Sequence, residues 1–124
     1  MGGENMSNLK KRDEMTTKDE LQLMCDAYAE DIDNGKFIKD LNSDDYDSVL
    51  DHRYVIDYDG AYRSVHLLVA FGGPNIWICT DTMQVDGYWG SDRVTSWFGR
   101  SASDEIDYFY EDLYNGHLLT VRTY

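Results

Sequence analysis

Residues 65–89 read VHLLVAFGGPNIWICTDTMQVDGYW. This stretch holds the densest apolar run in the chain, its one proline and two of its three tryptophans. Within 62–71, Val65, Leu67, Val69 and Phe71 fall on one alternating set, and Leu68 and Ala70 on the other. An extended segment that is apolar on both faces belongs inside a sheet rather than at its rim. Gly72-Gly73-Pro74 breaks the run. The alternation resumes over 75–80, with Ile76 and Ile78 on one face and Trp77 and Cys79 on the other. Asp81-Thr82 marks the next turn, and 83–89 reads as a further strand.

Working outward, residues 53–58 alternate as a strand and Asp59-Gly60 is a strong hairpin signal. On the other side, Gly90-Ser91-Asp92 leads into a strand over 93–98. Connections this short join antiparallel neighbours, so the sheet is expected to be a meander of about five strands.

The period changes to helical at both ends. Thr17 and Glu20 have capping-box spacing, and Leu21, Met24, Cys25, Tyr28 and Ile32 make one apolar stripe. Asp26, Glu30, Asp31 and Asp33 occupy the other face, and Asn34-Gly35 ends the helix. Phe37, Ile38 and Leu41 anchor a connection. Ser43 is expected to cap a short helix reaching 51, with Tyr46, Val49 and Leu50 inward and Asp44, Asp45, Asp47 and Asp51 outward. At the other end, Ser101 or Ser103 is expected to cap a helix whose stripe is Ile106, Phe109, Tyr110 and Leu113. Asp104, Asp107, Glu111 and Asp112 lie off that stripe. Asn115-Gly116 reads as its stop, followed by an edge strand or tail over 117–124. The expected fold is α+β: an antiparallel meander sheet with two main helices, N-terminal and C-terminal, on one face. Residues 17–124 are read as one domain, and 1–16 as a flexible tail with no apolar period.

The charge narrows the function. Among 124 residues, Asp and Glu number 24 and Lys and Arg 11, a net charge of −13. Such a chain is repelled by nucleic-acid phosphates and by anionic membranes, and is steered toward basic protein surfaces. No segment has the length of a membrane span, and no apolar region near the N-terminus reads as a signal peptide. Met1-Gly2 lacks the Ser or Thr that myristoylation wants, since Met6 sits there. A cytoplasmic protein is the expectation.

AFGGPNIWICTDT, followed closely by GYWGSDR and then a capped acidic helix, resembles a family of small acidic proteins from phages and conjugative elements of gut bacteria. The resemblance covers roughly residues 53–115. The family has no established activity, so the resemblance implies a setting and no catalytic or binding residue. That setting favours anti-defence roles, including inhibition of CRISPR nucleases or restriction enzymes.

No constellation reads as a catalyst. Cys25 lies on a core stripe and Cys79 within a strand, neither at a site that would make a reactive thiolate. His52, His66 and His117 form no metal-ligand spacing with each other or with the cysteines. Asp44, Asp45 and Asp47 lack the glycine and the terminal Glu of a calcium loop. Gly72-Gly73-Pro74-Asn75 joins two strands and opens no helix, so it reads as a turn rather than a phosphate loop. The sequence therefore assigns no catalytic residue, no metal and no cofactor.

What remains is surface. If the strands pair in register, Trp77, Tyr88 and Trp97 share the sheet face opposite the helices, with Tyr54 and Tyr62 extending it and Arg93 and Arg100 at its rim. The expected function is a non-enzymatic domain that binds a basic protein surface and mimics nucleic acid. Asp44, Asp45, Asp47, Asp104, Glu111 and Asp112 would steer, and Trp77, Tyr88 and Trp97 would anchor. One alternative is a structural module that homodimerises through the aromatic face. The other is a small enzyme or metal-binding protein, which a polar pocket holding His66 or Cys79 would favour and a solid core there would oppose.

Overall fold

The structure is a computed structural model, and it describes residues 14–43 and 47–122. Helix α1 (Thr17–Asp33) and the short α2 (Lys36–Leu41) precede β1 (Asp51–Ile56), β2 (Tyr62–Ala70), β3 (Asn75–Cys79), β4 (Gln84–Trp89) and β5 (Asp92–Trp97). Helix α3 (Arg100–Arg122) closes the chain. The five strands form one antiparallel sheet in sequence order, as the short turns dictate. The α+β class, the meander and the terminal helices are those expected from the sequence.

One face of the sheet is covered. Val65, Leu67, Val69, Ile76, Ile78, Val85 and Val94 point into a single core with Leu21, Cys25, Ala29 and Ile32 of α1, Phe37 and Leu41 of α2, and Ile106 and Tyr110 of α3. Gly87 lets α1 approach β4 closely, because its missing Cβ leaves room for Leu21 and Cys25.

Several local expectations are corrected. The capping box is Thr16 with Asp19, one residue earlier than Thr17 with Glu20: Asp19 N–H donates to Thr16 Oγ1 at 3.1 Å, and Thr16 N–H to Asp19 Oδ2 at 3.0 Å. Most of the tail expected over 1–16 lies outside the described residues, but Thr16 already belongs to the fold. Gly35, at φ +86, ends α1 as expected and also starts α2, which replaces the expected connection with a turn and a half of helix. Part of the helix expected after Ser43 lies outside the described residues; residues 47–50 are not helical, Leu50 is exposed, and Asp51 already opens β1.

Helix α3 opens at Arg100, and Ser103 does not cap it: its buried hydroxyl donates instead to Thr80 O at 3.0 Å. The helix runs through Gly116 to Arg122, where a stop and then a strand or tail were expected. One interior glycine costs only about 1 kcal/mol, and no proline follows to end the helix. Its core stripe takes Tyr114 in place of Leu113, which is half exposed.

Two irregularities in β2 reset the alternation. The register shifts between Leu68 and Ala70 against β3, and Ala70 then packs with the core rather than on Leu68's side. Phe71 lies past the strand and is exposed. Against β1, Val55 pairs with Ser64 but Ile56 with Tyr62. The extra residue turns Tyr62 inward, where its hydroxyl donates to Asp107 Oδ1 at 2.7 Å. Tyr54, opposite Val65, also faces the helices, its ring 4.9 Å from that of Tyr114. Both tyrosines are therefore absent from the aromatic face they were expected to extend.

Candidate functional site on the open sheet face

The register defines what the uncovered face carries. Across β1 to β5, Arg53 opposes His66, His66 opposes Cys79, Leu68 opposes Trp77, Trp77 opposes Asp86, Asp86 opposes Thr95, and Gln84 opposes Trp97. Trp77, Tyr88 and Trp97 thus share the face opposite the helices. They do not form one stack. Tyr88 and Trp97 lie toward opposite ends of the β4–β5 pair, because Trp97 faces Gln84 and Tyr88 faces Arg93. Trp97 is 65% exposed, Tyr88 36%, and Trp77 half buried. The guanidinium of Arg53 lies 5.3 Å above the Trp77 ring, and that of Arg93 5.4 Å above Tyr88, as cation–π pairs. Arg93 therefore does sit beside the aromatic face, whereas Arg100 starts α3.

Arg53, His66, Trp77, Cys79, Asp86 and Tyr88 line a shallow hollow of about 430 Å³ on this face. Asp86 is buried in it and accepts a hydrogen bond from Thr95 Oγ1 at 2.9 Å. At one end, His66 Nε2 lies 3.1 and 3.2 Å from the two carboxylate oxygens of Asp81, and Cys79 Sγ is within 4.8 Å of both groups. Burial, reinforced by Asp86 and Asp81, pushes the Cys79 thiol up to about 12. A thiol held protonated at neutral pH is a poor nucleophile, so proximity to His66 does not by itself make Cys79 a catalyst.

Among the described residues, the carboxylates expected to steer are not on this face. Asp104, Glu111 and Asp112 are exposed on α3, in the helical layer on the far side of the sheet. Asp47 is exposed just before β1. Asp44 and Asp45 lie outside the described residues. Of the expected binding residues that the structure describes, Trp77, Tyr88 and Trp97 are on the open sheet face and Asp104, Glu111 and Asp112 on the helical side.

The second surface has a shape of its own. A groove of about 420 Å³ between α2 and α3 is floored by Ile38, Tyr108, Phe109 and Leu113 and edged by Asn42, Glu105 and Asp112. Tyr108 is 80% exposed. Other helical acids are spent on the fold: Asp26 accepts from Ser96 Oγ and Gln22 Nε2, and Asp33 from Gly99 N–H at 2.8 Å. Glu20, Glu30, Asp104, Glu105, Glu111 and Asp112 are exposed to solvent.

The sequence reading missed the joint placement of His66, Cys79 and Asp81, and the role of Arg53 and Asp86 in walling the hollow. The β2 bulge explains the first omission. Counting back evenly from the Ala70–Ile76 pair would set His66 against Thr80, and the shifted register sets it against Cys79. Among the described residues no helix is long and apolar enough to cross a membrane. Comparison with protein-family models, curated proteins and solved structures finds no match.

Proposed function

We propose that this chain is a non-enzymatic, acidic protein-binding domain from a phage or conjugative element, working in the cytoplasm. It docks on a basic protein surface and inhibits a nucleic-acid-processing defence enzyme, such as a CRISPR nuclease or a restriction enzyme, by occupying the place of nucleic acid. The observation that carries the reading is the α2–α3 groove, where an apolar floor including Tyr108 and Leu113 is edged by Glu105 and Asp112. A groove of this kind suits a segment with apolar anchors and flanking Lys or Arg. The net charge of −13 supplies long-range steering toward such a partner, and the resemblance supplies the setting.

The test is inhibition of purified nucleases by the wild-type chain and by a variant carrying E105Q, E111Q and D112N. The wild type should inhibit in competition with DNA, with an effect that fades as salt rises. The variant should be at least tenfold weaker with a flatter salt dependence. Equal inhibition by both proteins would overturn the electrostatic reading.

A second reading is homodimerisation through the open sheet face, favoured by the exposure of Trp97 and Tyr88 there. Sedimentation velocity decides it: a concentration-dependent dimer lost in Trp97→Ser supports it, and a monomer at high concentration ends it.

A further inference from the structure

We propose that His66, Cys79 and Asp81 form a binding site for a single divalent transition-metal ion of the zinc class. The three side chains supply one imidazole nitrogen, one sulfur and one carboxylate oxygen, all within 4.8 Å of one another. In a tetrahedral zinc site with bonds of about 2.0–2.3 Å, neighbouring donors stand roughly 3.3–3.8 Å apart. The His66 to Asp81 separation of 3.1 Å is already close to that spacing.

The donors come from a fixed framework. His66 and Cys79 are direct partners across β2 and β3, which brings their Cβ atoms to about 4.5–5.5 Å. Asp81 stands in the turn after β3, and buried bonds pin the preceding residue from both sides. Thr80 N–H donates to Val65 O at 3.1 Å, Val65 N–H donates to Thr80 Oγ1 at 3.0 Å, and Ser103 Oγ donates to Thr80 O from α3. The Asp81 carboxylate is itself oriented by the Thr82 N–H, 3.0 Å from Oδ1. Preorganisation of this kind lowers the ordering cost of binding.

The donor set selects the metal. Sulfur with imidazole favours zinc-like ions over magnesium or calcium, which prefer all-oxygen shells. A thiolate and a carboxylate together balance the two charges of the ion. On binding, the Cys79 proton is released to solvent, and the Nε2 proton that His66 donates to Asp81 moves to Nδ1 or is released with it. His66 and Asp81 are partly exposed, which leaves a path for entry. Three protein ligands leave a fourth position for water or for a group from a partner, and it adjoins the hollow walled by Arg53, Asp86 and Tyr88. The site is on the opposite side of the sheet from the α2–α3 groove, so it stands or falls apart from the partner reading above.

The experiment is titration of reduced, metal-free protein with Co²⁺, followed by displacement with Zn²⁺. One equivalent of Co²⁺ should produce a thiolate-to-cobalt charge-transfer band with the intense visible bands of four-coordination, and Zn²⁺ should remove both. Cys79→Ser should abolish the charge-transfer band, while Cys25→Ala should keep it. His66→Gln and Asp81→Asn should each weaken Co²⁺ binding at least tenfold, with circular dichroism reporting that they fold. X-ray absorption on the zinc-loaded wild type gives an answer that needs no variant: one sulfur with nitrogen and oxygen donors is expected. Absence of the band at one equivalent, its persistence in Cys79→Ser, unchanged affinity in either of the other two folded variants, or a shell without sulfur or with several sulfurs would overturn the proposal.

Discussion

Gly87 on β4 and Cys25 on α1 are packed so closely that a Cβ at position 87 would lie 2.5 Å from Cys25 Sγ, and 2.9 Å from Leu21 Cδ1. Both neighbours are fully buried, so neither can swing out to solvent. Gly87→Ala should therefore push α1 off the sheet and cost about 1–3 kcal/mol. Chemical denaturation checks this. In a double-mutant cycle, adding Cys25→Ala should recover part of the loss, with a coupling of at least about 0.5 kcal/mol. Strict additivity would show that the contact is not the cause.

Stability should fall at alkaline pH. Burial, helped by Asp26 and Asp86, pushes the Cys25 thiol from its ordinary 9.0 up to about 11. Burial, followed by its hydrogen bond to Asp107 and the charges of Asp107 and Glu111, also raises the Tyr62 phenol. In both cases the folded chain keeps its proton to higher pH than the unfolded chain. The stabilisation is complete below the unfolded value and drains away as pH rises toward the folded one, by up to about 1.4 kcal/mol per pH unit for each group. Melting temperatures measured from pH 8 to 11 should drop, and the drop should be shallower in Cys25→Ala. Parallel curves for the two proteins would contradict the assignment to Cys25.

The bond from Ser103 to Thr80 ties α3 to the β3–β4 turn. Ser103→Ala leaves the Thr80 carbonyl without that donor, and should cost about 1–3 kcal/mol. Hydrogen exchange should quicken at Thr80 and Asp81 more than in β5. Uniform quickening would indicate global destabilisation instead.

Thr16 and Asp19 each satisfy the other's backbone N–H at the start of α1. Thr16→Ala should cost about 1 kcal/mol, and Thr17→Ala should be close to neutral. The reverse ranking would return the cap to Thr17.

The legible parts of this fold were those governed by local periodicity. The two-residue alternation through Ile76, Trp77, Ile78 and Cys79 placed Trp77, Tyr88 and Trp97 on one face because β3, β4 and β5 pair without a slip. Strand β2 carries a slip on each side, and there alternation misleads: Tyr62 and Ala70 turn inward, and Cys79 arrives opposite His66. Nothing in the residue types around 63 or 69 announces a bulge, since neither Arg63 nor Val69 is a glycine. The separation of Asp112 from Trp97 was legible, because the helices were expected on one face and the aromatics on the other. The shape of the α2–α3 groove beside Asp112 was not, since it depends on how two helices distant in sequence pack. Asp26 adds a further case: it is exposed as expected, and it also accepts from Ser96 Oγ across to β5, a bond that no local pattern announces.

The contact between α1 and β4 has a consequence for synthesis. Every strand pairs with the one just before it, so the sheet can zip up hairpin by hairpin as the chain leaves the ribosome. The apolar stripe of α1 meets α2 at once, but it must wait for Val85, Gly87 and Val94, some sixty residues later, before it has a sheet to lie on. Through that interval Leu21, Cys25 and Ile32 are exposed on a nascent chain, the stage at which hydrophobic surface is most open to aggregation and to chaperones. A chain halted before β4 would keep α1 against α2 and the end of β2, without the two strands that cover most of its stripe.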